Sequence, residues 1–522
     1  MVAQSVFARL FRRKQITAEV EASGVVPSDL RRSLGVWQLT ALGVGAIVGA
    51  GIFSGAGTAV AGGPHHPGAG PALVVSYLLV AIACGFAALC YAEFASLIPQ
   101  AGSAYTYAYA TLGELVAWII GWDLIIEYAV GNIAVAVSWA AYFQTLLRGF
   151  GLGFPEWLAT DPRTAFQAYQ AVQADPSITA ASTLEAASAW TNAPELLGIP
   201  IIFNLPAVLI VALITWVLVV GIRESAWANT AMVALKLGIL VFFVAIGAFW
   251  VRPENWVPFA PNGWQGITAG AALIFFAYIG FDAVSTAAEE ATNPQRDMPR
   301  AMMWSLGITS AIYVVVTLVM TGLVPWTQHG TADPLAQAFT ERGYHWAAGV
   351  ISFGAVVAMA SVLLVFQLGQ PRIFYSMARD GLLPPWAARV HPRFRTPMVT
   401  TVLTGVFVAF FAAFANINEV IELTNIGTLF AFVLVALGVM VLRIREPDRH
   451  RPFRTPAVWL VAPAAIVSCG FLMVQLPRIT WERFIVWLLA GLVIYVFYGY
   501  RRSRLGRGEE PAPADIGVGP GH

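Results

Sequence analysis

About twelve apolar runs follow one another along this chain, each near the ~20 residues that an α-helix needs to cross a bilayer. They fall at 36–61, 72–97, 113–147, 203–222, 228–250, 266–289, 301–324, 346–377, 398–415, 420–442, 457–476 and 484–500. Backbone groups in lipid must be satisfied within the chain, so such runs fold as helices. The expected fold class is an all-α polytopic membrane protein. The composition agrees. Charged residues make up 11% of the chain and hydrophobic ones 58%, whereas a soluble domain carries roughly 25% charged residues. An ordinary soluble globular protein is excluded. A net charge of +1 excludes nucleic acid as the organising partner.

Basic residues divide unevenly between the two sides of this pattern. If the N-terminus is inside, 23 lysines and arginines fall on internal segments and 6 on external ones. This excess predicts cytoplasmic termini and an even number of spans in a cell-membrane protein. No cleavable signal peptide is expected, because residues 1–34 are polar and basic. Phe7 to Arg13 suits a short interfacial helix. The external loop 148–202 carries two candidate surface helices, Thr164–Ala174 and Thr183–Trp190. The tail after Arg507 has a disordered composition. The tyrosines at 105, 107 and 109, spaced by two in a re-entry loop, suggest an interfacial aromatic belt.

Glycine marks two interruptions. The first span contains Gly43-Val-Gly-Ala-Ile-Val-Gly-Ala-Gly-Ile-Phe53. Each such glycine costs about 1 kcal/mol relative to alanine inside a helix, so the helix is expected to open near Gly49–Gly51. Gly43 and Gly45 serve equally well for close helix packing. The sixth span holds Phe275-Phe-Ala-Tyr-Ile-Gly-Phe-Asp-Ala283, with Gly280 and Asp282 at mid-membrane. Breaks five spans apart are the sign of an inverted five-plus-five repeat. The expected division is a tail over 1–35, five spans over 36–250, five over 266–442, two over 457–500 and a tail over 501–522. Broken helices offer N–H groups to an anion and freed carbonyls to a cation. A ligand with both charges a few ångströms apart is an α-amino acid.

Ionisable residues inside spans cost at least about 2.5–3.5 kcal/mol to insert, which makes them functional candidates. Lys236 is one of two lysines in the chain and lies inside the fifth span. It could snorkel, since roughly 12 Å separates it from the span's start at 1.5 Å per residue. It could also be a fixed structural charge or a proton site. Asp123 and Glu127 share a helix face at i and i+4. Glu127 suits a cationic side chain, a proton or a hydrogen bond to a neighbouring helix. Asp282 suits a helix cap or a proton or substrate role. Glu93 suits a closing network or an exposed interfacial position. Glu289 and Glu290, ahead of Asn293-Pro294, suit structural or gating roles. Cys84, Cys90 and Cys469 read as buried small side chains, with no disulfide or metal-ligand spacing. The seven histidines, including His65 and His66, form no metal pattern. No cofactor, nucleotide loop or nucleophile elbow is present, so an enzyme is not expected.

Four stretches carry a family resemblance. They are Gly43–Phe53; Gly121-Trp-Asp-Leu-Ile-Ile-Glu-Tyr128; Phe276–Arg300 with Glu289-Glu-Ala-Thr-Asn-Pro-Gln-Arg-Asp-Met-Pro299; and Gln370-Pro-Arg-Ile-Phe-Tyr-Ser-Met-Ala-Arg-Asp-Gly-Leu-Leu-Pro384. With these residues the chain resembles the amino acid–polyamine–organocation superfamily, and within it the bacterial branch of the cationic amino acid transporters. The match is good over 34–443 and looser over the last two spans. The resemblance implies a LeuT-type fold and secondary active transport of L-amino acids. It implies a substrate carboxylate on the N–H groups of Ala50 and Gly51, beside Gly49. The ammonium would lie on the carbonyls of Ile47, Phe276, Ala277 and Ile279, with Phe276 as an aromatic lid. Side-chain selectivity would come from Glu127, Asp282 and the Phe366–Gln367 region. The resemblance also maps Lys236 to a place where relatives bind sodium, with Gly45, Val48 and Ser361 as its partners. Burial disfavours an ammonium, so a proton there would do sodium's work.

The preferred expectation is proton symport of small neutral L-amino acids such as alanine, by a monomer. Its rivals are a cationic amino acid carrier, a proton-independent exchanger, a sodium-coupled carrier, a passive channel and a non-transporting sensor.

Overall fold

The computed structural model describes residues 10–14, 34–63, 66–97, 103–175, 181–220, 226–391 and 396–509. Among the described residues, nine helices are long and apolar enough to cross a membrane. They are span 1 (Val36–Ala61), span 2 (Gly70–Leu97), span 3 (Glu114–Gly149), span 5 (Ala231–Trp250), span 6 (Gly263–Ser285), span 7 (Pro294–Leu323), span 8 (His345–Arg379), span 10 (Ile417–Arg445) and span 12 (Arg478–Arg502). Three shorter apolar helices lie at the positions expected for the other runs and are labelled in the same series: span 4 (Leu205–Val220), span 9 (Met398–Phe414) and span 11 (Val458–Val474). The protein is therefore all-α and polytopic.

Span 7 lies along spans 1 and 2, span 8 along spans 3 and 5, span 4 along span 9, and span 10 along span 11. The two ends of the described chain meet on one face. Arg12 donates to the carbonyls of Leu505 and Gly506 at 3.1 and 2.7 Å, and Lys14 pairs with Asp380 at 2.9 Å. Of the proposed interfacial helix, residues 7–9 lie outside the described residues. So do residues 510–522 of the tail, and His65.

The segment between spans 3 and 4 forms helices over Pro162–Ala174 and Ala181–Asn192. Asp161 starts the first by accepting from the N–H groups of Arg163 and Thr164, satisfying donors left free at a helix start. Ala165, Ala189 and Ile202 form a small separate core beneath the pair.

The tyrosine expectation needs correction. Ser103–Thr111 is an α-helix, and Tyr105, Tyr107 and Tyr109 are all buried. Tyr105 donates to Asp380 at 2.8 Å and Tyr109 to Glu114 at 3.2 Å, while Tyr107 stacks on Phe94. A belt residue keeps its polar edge in water. In Tyr105 and Tyr109 that edge turns to buried carboxyls, because the helix is tucked beneath spans 3 and 10.

Glu93 is likewise not interfacial. It is fully buried on span 2 and accepts from Arg443 through both oxygens at 2.9 and 2.8 Å. Arg451 pairs with it at 3.2 Å, and the Thr455 N–H donates to it at 2.8 Å. Span 2 is thereby tied to span 10 and to the connection that follows it.

Candidate functional site

Both expected interruptions occur. In span 1 the α-helix ends at Ile47, and Val48 turns extended with ψ 96°. A wide turn over Gly51–Gly55 and a short helix over Ala56–Ala61 follow. In span 6 the α-helix ends at Ile274, and a tight turn covers Phe275–Tyr278. Gly280 then takes φ +118°, which a side chain would resist. The chain resumes as a tight helix over Asp282–Glu290, of which the Glu289 and Glu290 side chains lie outside the described residues.

The two breaks touch. A Cβ on Gly51 would lie 2.2 Å from Ala277 Cα, and one on Gly280 would lie 2.9 Å from the Ala46 carbonyl carbon. Gly49 is close against Val362 of span 8, Gly45 against Val233 of span 5, and Gly43 against Ser305 and Val284. The packing role weighed for Gly43 and Gly45 is thus present. Gly51→Ala should force the two breaks apart, because the obstructing atoms are backbone. Overpacking of this kind costs about 1–3 kcal/mol. Gly85→Ala, with nothing within 4 Å of its new methyl, is the control. Equal melting temperatures for the two variants would refute the close contact.

Side chains from other spans satisfy the interrupted backbone. Asn425 of span 10 donates to the carbonyls of Ala272 and Leu273 at 2.7 and 2.9 Å, where span 6 stops being α-helical. The Tyr313 hydroxyl of span 7 lies 3.0 Å from the Ile47 carbonyl and 2.9 Å from that of Ala277. A hydroxyl carries one proton, so it donates to one of them at a time. Two carbonyls assigned by resemblance to the substrate ammonium therefore converge on a single point. Neither Tyr313 nor Asn425 stood out in the sequence. The available signal for Tyr313 was Thr309-Tyr313-Thr317, three polar side chains at i, i+4 and i+8 in an apolar helix.

Lys236 is 1% exposed, and its ammonium donates to the Gly45 carbonyl at 2.6 Å. The snorkelling alternative is overturned, since the amine reaches into the protein and not toward a headgroup. Gly45 lies three residues before the bend at Val48. The Ser361 hydroxyl, expected near this ammonium, donates to Ala358 of its own helix at 3.0 Å.

Glu127 sits on a wide turn, Ile126–Val130, within span 3. Its carboxyl faces that of Asp282 across the break in span 6. Both are buried. Neither Asp282 oxygen, nor Oε2 of Glu127, has a protein hydrogen bond of normal geometry. Asp282 opens the resumed helix, with the backbone N–H groups of Gly280, Asp282 and Ala283 around its carboxyl. Phe366 lies edge-on to Tyr128 and contacts the Gly131 position. Gln367 is occupied elsewhere, accepting from Asn132 at 2.7 Å and donating to Thr215 at 2.6 Å. Ile47, Ala50, Phe276, Ala277 and Ile279 are all buried. Cys84, Cys90 and Cys469 are buried and free. Among the described residues, no group of three or more His, Cys, Asp or Glu could hold a metal ion.

Two interrupted helices meeting in the centre of a polytopic bundle define a membrane transport protein. The comparisons give its family. The amino acid permease profile matches residues 34–497, and the chain belongs to that family. The branched-chain amino acid permease BcaP of Bacillus subtilis is 43% identical over 497 residues, covering 95% of this chain and 99% of BcaP. The methylthioribose transporter of the same organism is 39% identical, with the same coverage. The human cationic amino acid transporter 4 is 34% identical over 84% of this chain and 64% of its own length. The family is consistent with the LeuT-like fold that the paired breaks suggest.

Proposed function

We propose that this permease imports neutral L-amino acids by proton symport across the cytoplasmic membrane, acting as a monomer with both termini inside. The single observation that carries this reading is the buried Lys236 ammonium on the Gly45 carbonyl, directly before the break in span 1. The substrate carboxylate takes the N–H groups around Gly49, Ala50 and Gly51, which begin a helical segment and lack intrahelical partners. The substrate ammonium takes the carbonyls of Ile47 and Ala277, displacing the Tyr313 hydroxyl, with Phe276 and Ile279 beside it. Phe276 closes over the substrate. Proton loss from Lys236 frees Gly45 and loosens span 1 against span 5, coupling the proton to the gate. Spans 1–5 and 6–10 act as the two inverted repeats, with spans 11 and 12 outside them.

Two features favour a neutral side chain. Ala50, Ile279 and Phe366 offer apolar surface, and the buried carboxyls of Glu127 and Asp282 already face one another. A proton shared between those acids, and not a cationic substrate, balances the pair. The name of BcaP extends the candidate range from alanine to the branched-chain amino acids.

Proteoliposomes test the reading. An imposed pH gradient without sodium should drive accumulation of alanine, valine, leucine or isoleucine, and unlabelled substrate should support counterflow. Counterflow without pH-driven uptake would mean an exchanger. Preference for arginine or lysine, or for methylthioribose, would overturn the substrate class. Binding with neither flux would mean a sensor.

A further inference from the structure

We propose that a groove at the start of span 7 binds the headgroup of an anionic phospholipid from the adjoining leaflet. The groove has a volume of about 590 Å³ and runs between residues 295–304 and the connection from span 10 to span 11 at Pro452 and Phe453. It lies on the face where the two chain ends meet, since spans 7 and 11 both begin there.

Its polar wall is cationic. Arg296 and Arg300 are one helical turn apart, so their guanidinium groups share a face. Both are exposed, and among the described residues neither guanidinium group makes an ion pair or a side-chain hydrogen bond. Asp297, on the same turn, is buried and faces away from solvent. Two like charges at i and i+4 destabilise a helix, unless an anion lies between them. The helix begins at Pro294, so its dipole adds a partial positive charge on the same side.

The other wall is apolar and aromatic. Met303 and Phe453 are half-buried. Trp304 is 55% exposed and packs against Trp37 of span 1, itself 67% exposed, with ring centroids 6.4 Å apart. Trp37 stands at the start of span 1, and Trp304 lies at the same level; exposed indoles of this kind are enriched at the membrane–water interface. Beyond them the outer surface of span 7 continues with exposed apolar residues such as Val315. A phosphate held by Arg296 and Arg300 thus has an apolar path for its acyl chains beside Trp304. A soluble anion would use only the first half of the groove. This combination selects a lipid over free phosphate, and basic pockets at membrane level are known to take anionic headgroups.

The inference concerns a site away from the broken helices and stands whatever the permease carries. The test is lipid retention, measured by native mass spectrometry of the purified full chain titrated with phosphatidylglycerol. Each basic residue near an anionic surface contributes about 1 kcal/mol, so Arg296→Gln/Arg300→Gln should weaken binding roughly thirtyfold. Arg296→Lys/Arg300→Lys should retain most of it, and it keeps the assignment testable if the glutamine variant is unstable. Soluble glycerophosphoglycerol, lacking acyl chains, should compete poorly. Unchanged retention in the glutamine variant, or competition by the soluble headgroup as strong as that of the lipid, would overturn the proposal.

Discussion

Lys236→Met should abolish accumulation driven by a pH gradient while leaving counterflow measurable. Methionine nearly matches the length of lysine and suits an apolar helix, so the variant isolates the loss of the ammonium. Lys236 is buried in span 5 and bonded to Gly45 at 2.6 Å. Removing the donor leaves a buried carbonyl without that partner. Hydrogen bonds to charged groups contribute about 1.5–3 kcal/mol, which corresponds to roughly ten- to a hundredfold in the equilibrium between gate states. The pH dependence follows from the amine's own chemistry. Under the proposed coupling, the protonated form ties span 5 to span 1 through the bond to Gly45, and raising the pH removes the proton. Uptake by the native protein should therefore fall as the pH on the loading side rises, whereas the variant's profile should be flat. A fixed structural charge predicts loss of folded protein with no change in the pH profile of what survives. Proton-driven accumulation at native levels in Lys236→Met would remove this residue from the coupling mechanism.

The largest stability effect is expected at Glu93. Glu93→Ala removes the one carboxylate that faces Arg443, Arg451 and the Thr455 N–H together. Arg451 has a fully buried side chain. Burial and the neighbouring Arg443 already push its pKa down, and Glu93 opposes them. Without Glu93 that charge is left uncompensated. Breaking a buried pair by deleting one partner costs about 3–5 kcal/mol. Glu482→Ala is the comparison, because Glu482 pairs with Arg478 at a site where the arginine is 92% exposed. Exposed pairs contribute about 0–1 kcal/mol. Thermal unfolding in detergent should show a large fall in melting temperature for Glu93→Ala and almost none for Glu482→Ala. Similar small shifts in both would show that the Glu93 network does not hold span 2 to span 10.

The spans and their two interruptions were legible from residue order because their causes are local. A run of apolar residues long enough to cross lipid folds as a helix whatever surrounds it. Clustered glycines weaken that helix where they stand, so Gly49–Gly51 and Gly280 were readable in place. Lys236 was conspicuous because insertion into lipid is costly for any amine. Its partner at Gly45 came from family resemblance, and the apolar flanks of Lys236 do not indicate it.

Other parts were decided only when the helices packed. Tyr313, Asn425 and the facing carboxyls of Glu127 and Asp282 belong to spans whose exteriors and interiors are almost equally apolar. In water, a helix shows its inner face by an apolar stripe. In a bilayer the surrounding lipid is as apolar as the core, so the stripe disappears. The burial of Tyr105, Tyr107 and Tyr109 depended on the same missing cue. The sequence by itself determined where the apolar helices form and where two of them fail. Tertiary packing decided which polar atoms meet at those failures, because lipid gives a transmembrane helix no solvent face from which to infer its inner one.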